Sequence, residues 1–186
     1  MSTQTDPKGY LVEHLRNHSV RTDGPYTLRS GESSDWYIDA RHTTFDGWGA
    51  ILVGEVVLAA LDSRVTAVGG MTLGADPIAV ATAIAAGRAR RPMQSFSVRK
   101  EAKDHGTGGR LAGPVGTDDT VAVLEDTTTT GAALSEAIEV LIDAGIEVVQ
   151  AIALVDRSGG AVGARLAEAG IAYLPLISPE ELGVGP

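Results

Sequence analysis

The chain has 186 residues, of which 44% are hydrophobic but only 4% aromatic, and its net charge is −9. That length fits one domain with a sizeable core built from Ala, Val, Leu and Ile, and the acidic balance argues against nucleic-acid binding, which needs basic surface. There is no cysteine, which excludes disulfides and thiolate metal sites.

No apolar run is long enough to span a bilayer, and the opening MSTQTDPKGYLVEHLRNHS holds no signal-peptide core, so a cytoplasmic protein away from membranes is expected. Residues 7–16 read as a short helix, with Pro7 at its start and Leu11, Val12 and Leu15 on one face. Two short strands, 26–28 and 36–40, flank the polar turn RSGESSD. A helical pattern runs from Asp46, a suitable N-cap, to Leu61. Then the chain alternates. Residues 65–70 form a strand, 75–87 a helix closed by Gly87, and 95–98 and 120–126 further strands. Leu134, Ala137, Ile138, Leu141 and Ile142 recur at helical spacing before Gly145. A near-continuous apolar strand (147–156), a helix (161–169) and a last strand (171–176) follow. Buried strands alternating with helices predict an α/β fold, a mostly parallel sheet flanked by helices. Ligands of such sheets bind beyond the carboxyl ends of the strands.

The stretch TVAVLEDTTTTGAALSEAI (120–138) ends an apolar strand in Glu125 and Asp126, and four threonines and Gly131 lead directly into a helix. A helix N-terminus offers unpaired N–H groups and a partial positive charge. Threonine hydroxyls and a glycine complete a phosphate cradle. The acids repel phosphate, but they suit ribose hydroxyls or, directly or through water, Mg²⁺. Simple helix capping would not call for four hydroxyls behind paired acids.

LEDTTTTG resembles the phosphoribosyl pyrophosphate (PRPP) signature of the type I phosphoribosyltransferases. The resemblance implies ribose contacts from Glu125 and Asp126, and a 5′-phosphate loop of Thr127, Thr128, Thr129, Thr130 and Gly131, with Ala132 following. It names the donor and leaves the acceptor open.

A second constellation, VRKEAKDHGTGGRLAG (98–113), gathers Arg99, Lys100, Lys103, His105 and Arg110 among four glycines, and reads as a mobile loop. Pyrophosphate leaving the anomeric carbon builds charge that such cations stabilise, and a closing loop excludes water. RKEAKDHG closely resembles the catalytic loop of the orotate phosphoribosyltransferases. The resemblance implies that Arg99, Lys100, Lys103 and His105 act on pyrophosphate or the transition state, in a homodimer whose loop reaches the partner's site. It further assigns Thr129 and Arg157 to orotate. YTLRSGESSDWYIDAR (26–41) resembles the family's segment over the acceptor base, and VGGMTLGADPIA (68–79) its pyrophosphate loop, which places Thr72 and Leu73 against PRPP.

The family pattern implies one domain over 1–186, with about residues 1–45 and the C-terminal tail forming a small hood. Two departures stand out. Arg29 replaces the lysine common before the Ser-Gly turn, still as a cation toward orotate, and Leu73 stands in a loop where many members carry lysine. The expected reaction joins orotate to the PRPP ribose with Mg²⁺. Its alternatives are another nucleobase acceptor, or a PRPP-binding regulator without turnover.

Overall fold

The computed structural model describes residues 6–27, 33–103 and 109–185. A helix α1 (Pro7–His18) opens the chain, capped by the Asp6 side chain, which accepts from the Gly9 N–H. Four two-residue strands follow: β1 (Val20–Arg21), β2 (Tyr26–Thr27), β3 (Ser33–Ser34) and β4 (Tyr37–Ile38), paired antiparallel as β1–β4 and β2–β3. The strand expected at 36–40 is therefore shorter, the one expected at 26–28 runs to the edge of the described residues, and the two do not pair with each other. After a short α2 (Arg41–Thr44), α3 (Gly47–Ala60) begins at Asp46, whose carboxylate accepts from the Trp48 and Gly49 N–H groups as its N-cap role requires.

The sheet contains β5 (Ala67–Met71), β6 (Gln94–Lys103), β7 (Gly109–Ala112), β8 (Thr120–Thr128), β9 (Glu147–Asp156) and β10 (Ala172–Ile177), in the order β10-β9-β8-β5-β6-β7. All neighbours run parallel except β7, which pairs antiparallel with β6 at one edge. Between the strands lie α4 (Ala75–Arg88), α5 (Ala132–Asp143) and α6 (Ala161–Glu168). One face of the sheet packs with α1, α3 and α4 through Leu11, Leu15, Val53, Ile78, Leu124 and Ile152. The other packs with α5 and α6 through Val121, Val123, Leu134, Leu141, Ala151 and Val162.

Three departures from the expected boundaries have a clear physical cause. Gly87 does not close α4. The turn comes at Arg90, which takes the left-handed conformation (φ 58°) more usual for glycine, while the Arg91 N–H returns to the Ala86 carbonyl at 2.9 Å. The Arg91 guanidinium fixes that turn by donating to the carbonyls of Asp62 and Val65, at 2.8 and 3.1 Å. Next, β6 runs five residues past Val98, because β7 offers it a second ladder: Ser97 lies opposite Ala112 and Lys103 opposite Gly109. Finally, β8 continues through Thr127 and Thr128, held by pairing with β9 as far as Asp156. On α5, Ile142 sits at the margin of the apolar stripe and is 58% exposed.

Candidate active site

The carboxyl ends of β5, β8 and β9 lie side by side, so the segments after them meet. Thr72 donates its N–H to the Val98 carbonyl at 2.9 Å, and the Arg157 N–H reaches the Thr128 carbonyl at 2.8 Å. Glycine permits the close approach beneath them: a Cβ at Gly70 would collide with the Leu124 carbonyl oxygen and lie 2.9 Å from the Ala75 methyl.

Near the end of β8, Glu125 and Asp126 lie close enough for their carboxyl groups to interact. Asp126 accepts from the Thr127 N–H at 2.7 Å. Its carboxyl group lies against Gly74, where an added Cβ would come within 2.8 Å. Burial raises the Asp126 pKa, opposed by the Thr127 amide and by Arg41. Arg41 is itself held by Asp39 through a two-pronged contact of 2.7 and 2.8 Å. Glu125 is mostly buried and is pushed up to about 8, first by desolvation and then by the neighbouring Asp126 charge. Its Oε2 is buried without a hydrogen-bond partner among the described residues, and so is the Thr127 hydroxyl. Unmet buried polar atoms of this kind are costly unless something arrives to use them. Two adjacent acids with spare acceptor capacity suit a sugar diol.

The phosphate loop is shorter than expected. Thr127 and Thr128 belong to the strand, and Thr128 is 3% exposed. Thr129 and Thr130 are exposed, and Gly131 (φ 72°) turns the chain into α5. A left-handed turn accounts for one reason for glycine there, and packing for another: a Cβ would lie 2.7 Å from the Val162 Cγ2 and clash with Arg165. Arg165 in turn donates to the Thr130 carbonyl at 2.9 Å, holding the loop from α6. No side chain caps the N-terminus of α5 at Gly131. The nearest hydroxyl contact is a long 3.4 Å, from the Ala132 N–H to Thr130 Oγ1. The exposed threonines are therefore not consumed as strong caps, and an N-terminus capped this weakly is able to receive an anion. Ala132, exposed, opens that helix.

Much of the segment read as a mobile loop is strand, and its residues 104–108 lie outside the described residues. Arg99 and Lys100 sit within β6, Arg99 half-buried and Lys100 exposed. Lys103 ends β6; its side chain lies outside the described residues, as do His105 and, near the N-terminus, Arg29. Arg110 is engaged elsewhere: its Nε donates to the Arg99 carbonyl at 2.7 Å, and its other nitrogen pairs with Glu136 of α5. Leu73 is 55% exposed on the loop after β5 and offers no polar group to a ligand.

At the end of β9, Arg157 lies over the Trp36 ring, its guanidinium carbon 4.0 Å from the ring centroid. Asp156 shapes the turn beyond it by accepting from the Ser158 N–H at 2.7 Å. Burial lowers the Arg157 pKa, though an arginine remains charged. Sequence reasoning did not single out Trp36, Arg41 or Arg165 at this edge. Each acts across elements distant in sequence, and none leaves a local signal. Among the described residues no group of three or more His, Asp or Glu gathers as a metal cage. The Glu125–Asp126 pair suits Mg²⁺, which keeps several waters and substrate phosphates among its ligands.

A mostly parallel sheet with these elements at its carboxyl edge has the architecture of the type I phosphoribosyltransferases. The orotate phosphoribosyltransferase of Streptomyces coelicolor is 42% identical over 182 residues, which cover 97% of this chain and 99% of that protein. That of Corynebacterium glutamicum is 41% identical over 184 residues, covering 98% and 97%. Among solved structures, Mycobacterium tuberculosis orotate phosphoribosyltransferase in complex with PRPP superposes with a TM-score of 0.78 at 35% identity, covering 96% of this chain and 100% of that one. No family model matches the chain. The chain belongs to the orotate phosphoribosyltransferase family.

Proposed function

We infer that this protein transfers the 5-phosphoribosyl group of PRPP to orotate, yielding orotidine 5′-monophosphate and pyrophosphate in pyrimidine biosynthesis. The observation that carries the reading is the side-by-side placement, at the carboxyl edge of the sheet, of an acid pair, a helix N-terminus without a side-chain cap and an arginine just beyond a neighbouring strand. Glu125 and Asp126 receive the ribose hydroxyls, and Thr129 to Gly131 with the first N–H groups of α5 hold the 5′-phosphate. Thr127 and Thr128 support that loop from the strand. Thr129 and Arg157 face orotate, with Arg29 from the N-terminal segment. Thr72 and Leu73 border the pyrophosphate.

No covalent nucleophile is required. N1 of orotate attacks C1 of the ribose while the bond to pyrophosphate breaks, and Arg99, Lys100, Lys103 and His105 stabilise charge on the leaving oxygens. Glu125 and Asp126, directly or through water, would hold Mg²⁺ beside PRPP, where the ion would supply further charge neutralisation. The absence of a cation at Leu73 gives the basic arm a larger share of that task.

The working form is a homodimer that shares the basic arm across its interface. In support, Ile51 and Ile84 are exposed and line an open groove of about 630 Å³ between α3 and α4, away from the acid pair. Exposed apolar side chains grouped in this way suit a protein contact. The chain forms one domain over 1–186, with about residues 1–45 and the C-terminal tail as a hood. The tail's Glu181 pairs with Lys8 of α1 at 2.8 Å, and Leu182 is buried in the same cluster as Leu11. No helix among the described residues is long and apolar enough to cross a membrane, and the proposed location is the cytoplasm.

The test follows orotate absorbance with purified protein, Mg²⁺ and PRPP. A decrease that requires both PRPP and Mg²⁺ is expected. No decrease, with PRPP binding still seen by calorimetry, would overturn orotate as the acceptor.

A further inference from the structure

We propose that Trp36 is a positioning residue for acceptor recognition: its indole face holds the Arg157 guanidinium flat, leaving the in-plane N–H edges for the acceptor's carboxylate. The inference rests on the orotate reading above and deepens it.

The Arg157 guanidinium has its carbon over the indole, 4.0 Å from the ring centroid, a distance at which a cation is attracted to the π system. Its edges make no ion pair or side-chain hydrogen bond among the described residues. A carboxylate in place of the ring would neutralise the arginine and compete with an anionic acceptor. An aromatic face holds the cation and leaves the fork available for a bidentate contact.

Both partners are held. Trp36 is 6% exposed and packs with Leu11, Ile38 and Val155 in one core cluster. Its carbonyl accepts from the Ser34 hydroxyl at 2.7 Å. Arg157 is fixed from the other side, its N–H on the Thr128 carbonyl at 2.8 Å and the turn after it shaped by Asp156. Thus the N-terminal segment and the end of β9 join at one contact, and Thr128, which accepts from the Arg157 N–H, lies one residue before the exposed Thr129 and Thr130. Loss of the ring would free the guanidinium to swing, so an acceptor would have to order it on binding.

Test variants are Trp36→Phe and Trp36→Leu, assayed for the KM of orotate, the KM of PRPP, kcat and thermal midpoint. Trp36→Leu is expected to raise the orotate KM about tenfold, in keeping with a partly desolvated cation–π contact. PRPP KM should stay near the wild-type value. Trp36→Phe, which keeps a weaker π face, should recover most of the loss. If Trp36→Leu does not fold, the Phe variant carries the test, with an expected two- to threefold rise in orotate KM alone, roughly the difference between ring types. Orotate KM unchanged in a folded variant, or orotate and PRPP KM rising together, would overturn the role of Trp36 while leaving the reaction intact. A wild-type protein that turns over no orotate would instead overturn the reaction, and this inference with it.

Discussion

Replacing Glu125 with glutamine should make the ligand-free protein more stable, and more so as pH rises. The side chain keeps its shape and loses only its titration. In the native protein Glu125 is pushed from an ordinary 4.5 to about 8 by burial and the Asp126 charge. Between those values the native carboxyl keeps a proton that the unfolded chain has released. Stability present below pH 4.5 is therefore lost progressively as pH rises toward 8, and stays lost above it. At about 1.36 kcal/mol per pKa unit, the whole window corresponds to an upper bound of ~5 kcal/mol. Charge shared with Asp126 and residual solvent contact reduce this to about 2–3 kcal/mol. For a domain of this size, 1 kcal/mol moves Tm by about 2–4 °C, so Glu125→Gln should exceed wild type by about 4–12 °C at pH 9 and match it near pH 5. Melts without PRPP or Mg²⁺ avoid stabilisation by ligand. Parallel Tm curves across pH, or a gap that opens toward acid, would refute the reasoning.

Three further outcomes are expected. Gly74→Ala should raise the KM for PRPP roughly tenfold or more, since the new methyl would press on the Asp126 carboxyl at 2.8 Å; wild-type KM would remove Asp126 from the ribose contact. Lys103→Ala should lower kcat by about two orders of magnitude while the thermal melt stays put, and unchanged kcat would take the basic arm out of the chemistry. Ile84→Glu places a charge on the apolar α3–α4 face and should convert the proposed dimer to monomer in sedimentation velocity, whereas a persistent dimer would relocate the interface.

The central strands and the acid–threonine motif were legible because burial imposes continuous apolar runs and the chemistry imposes its residues just after them. The strand at 147–156 matches β9 residue for residue. The basic segment was harder. Arg99, Lys100 and Lys103 have no apolar alternation, and their extended form depends on β7, a partner with no strand signal of its own. The split of the threonines between strand and loop likewise depends on pairing with β9, which ends opposite Asp156. Gly87 was read as a stop because glycine often is one, but the anchored guanidinium of Arg91 sets the turn three residues later. The contact between Trp36 and Arg157 left no trace in sequence, since nothing at either position announces the other.

The hydrogen bond from the Arg157 N–H to the Thr128 carbonyl joins the neighbouring ends of β9 and β8. One strand end carries the proposed grip on the donor and the other the proposed grip on the acceptor, and a backbone hydrogen bond links them at that point. Neighbouring strands stand about 4.8 Å apart, so the sheet itself acts as a ruler between the two grips. The turn after β9 can consequently diversify while the spacing and the donor grip stay constant. This gives the scaffold a modular character: a new acceptor can be selected by rewriting one short turn and the aromatic residue beneath it.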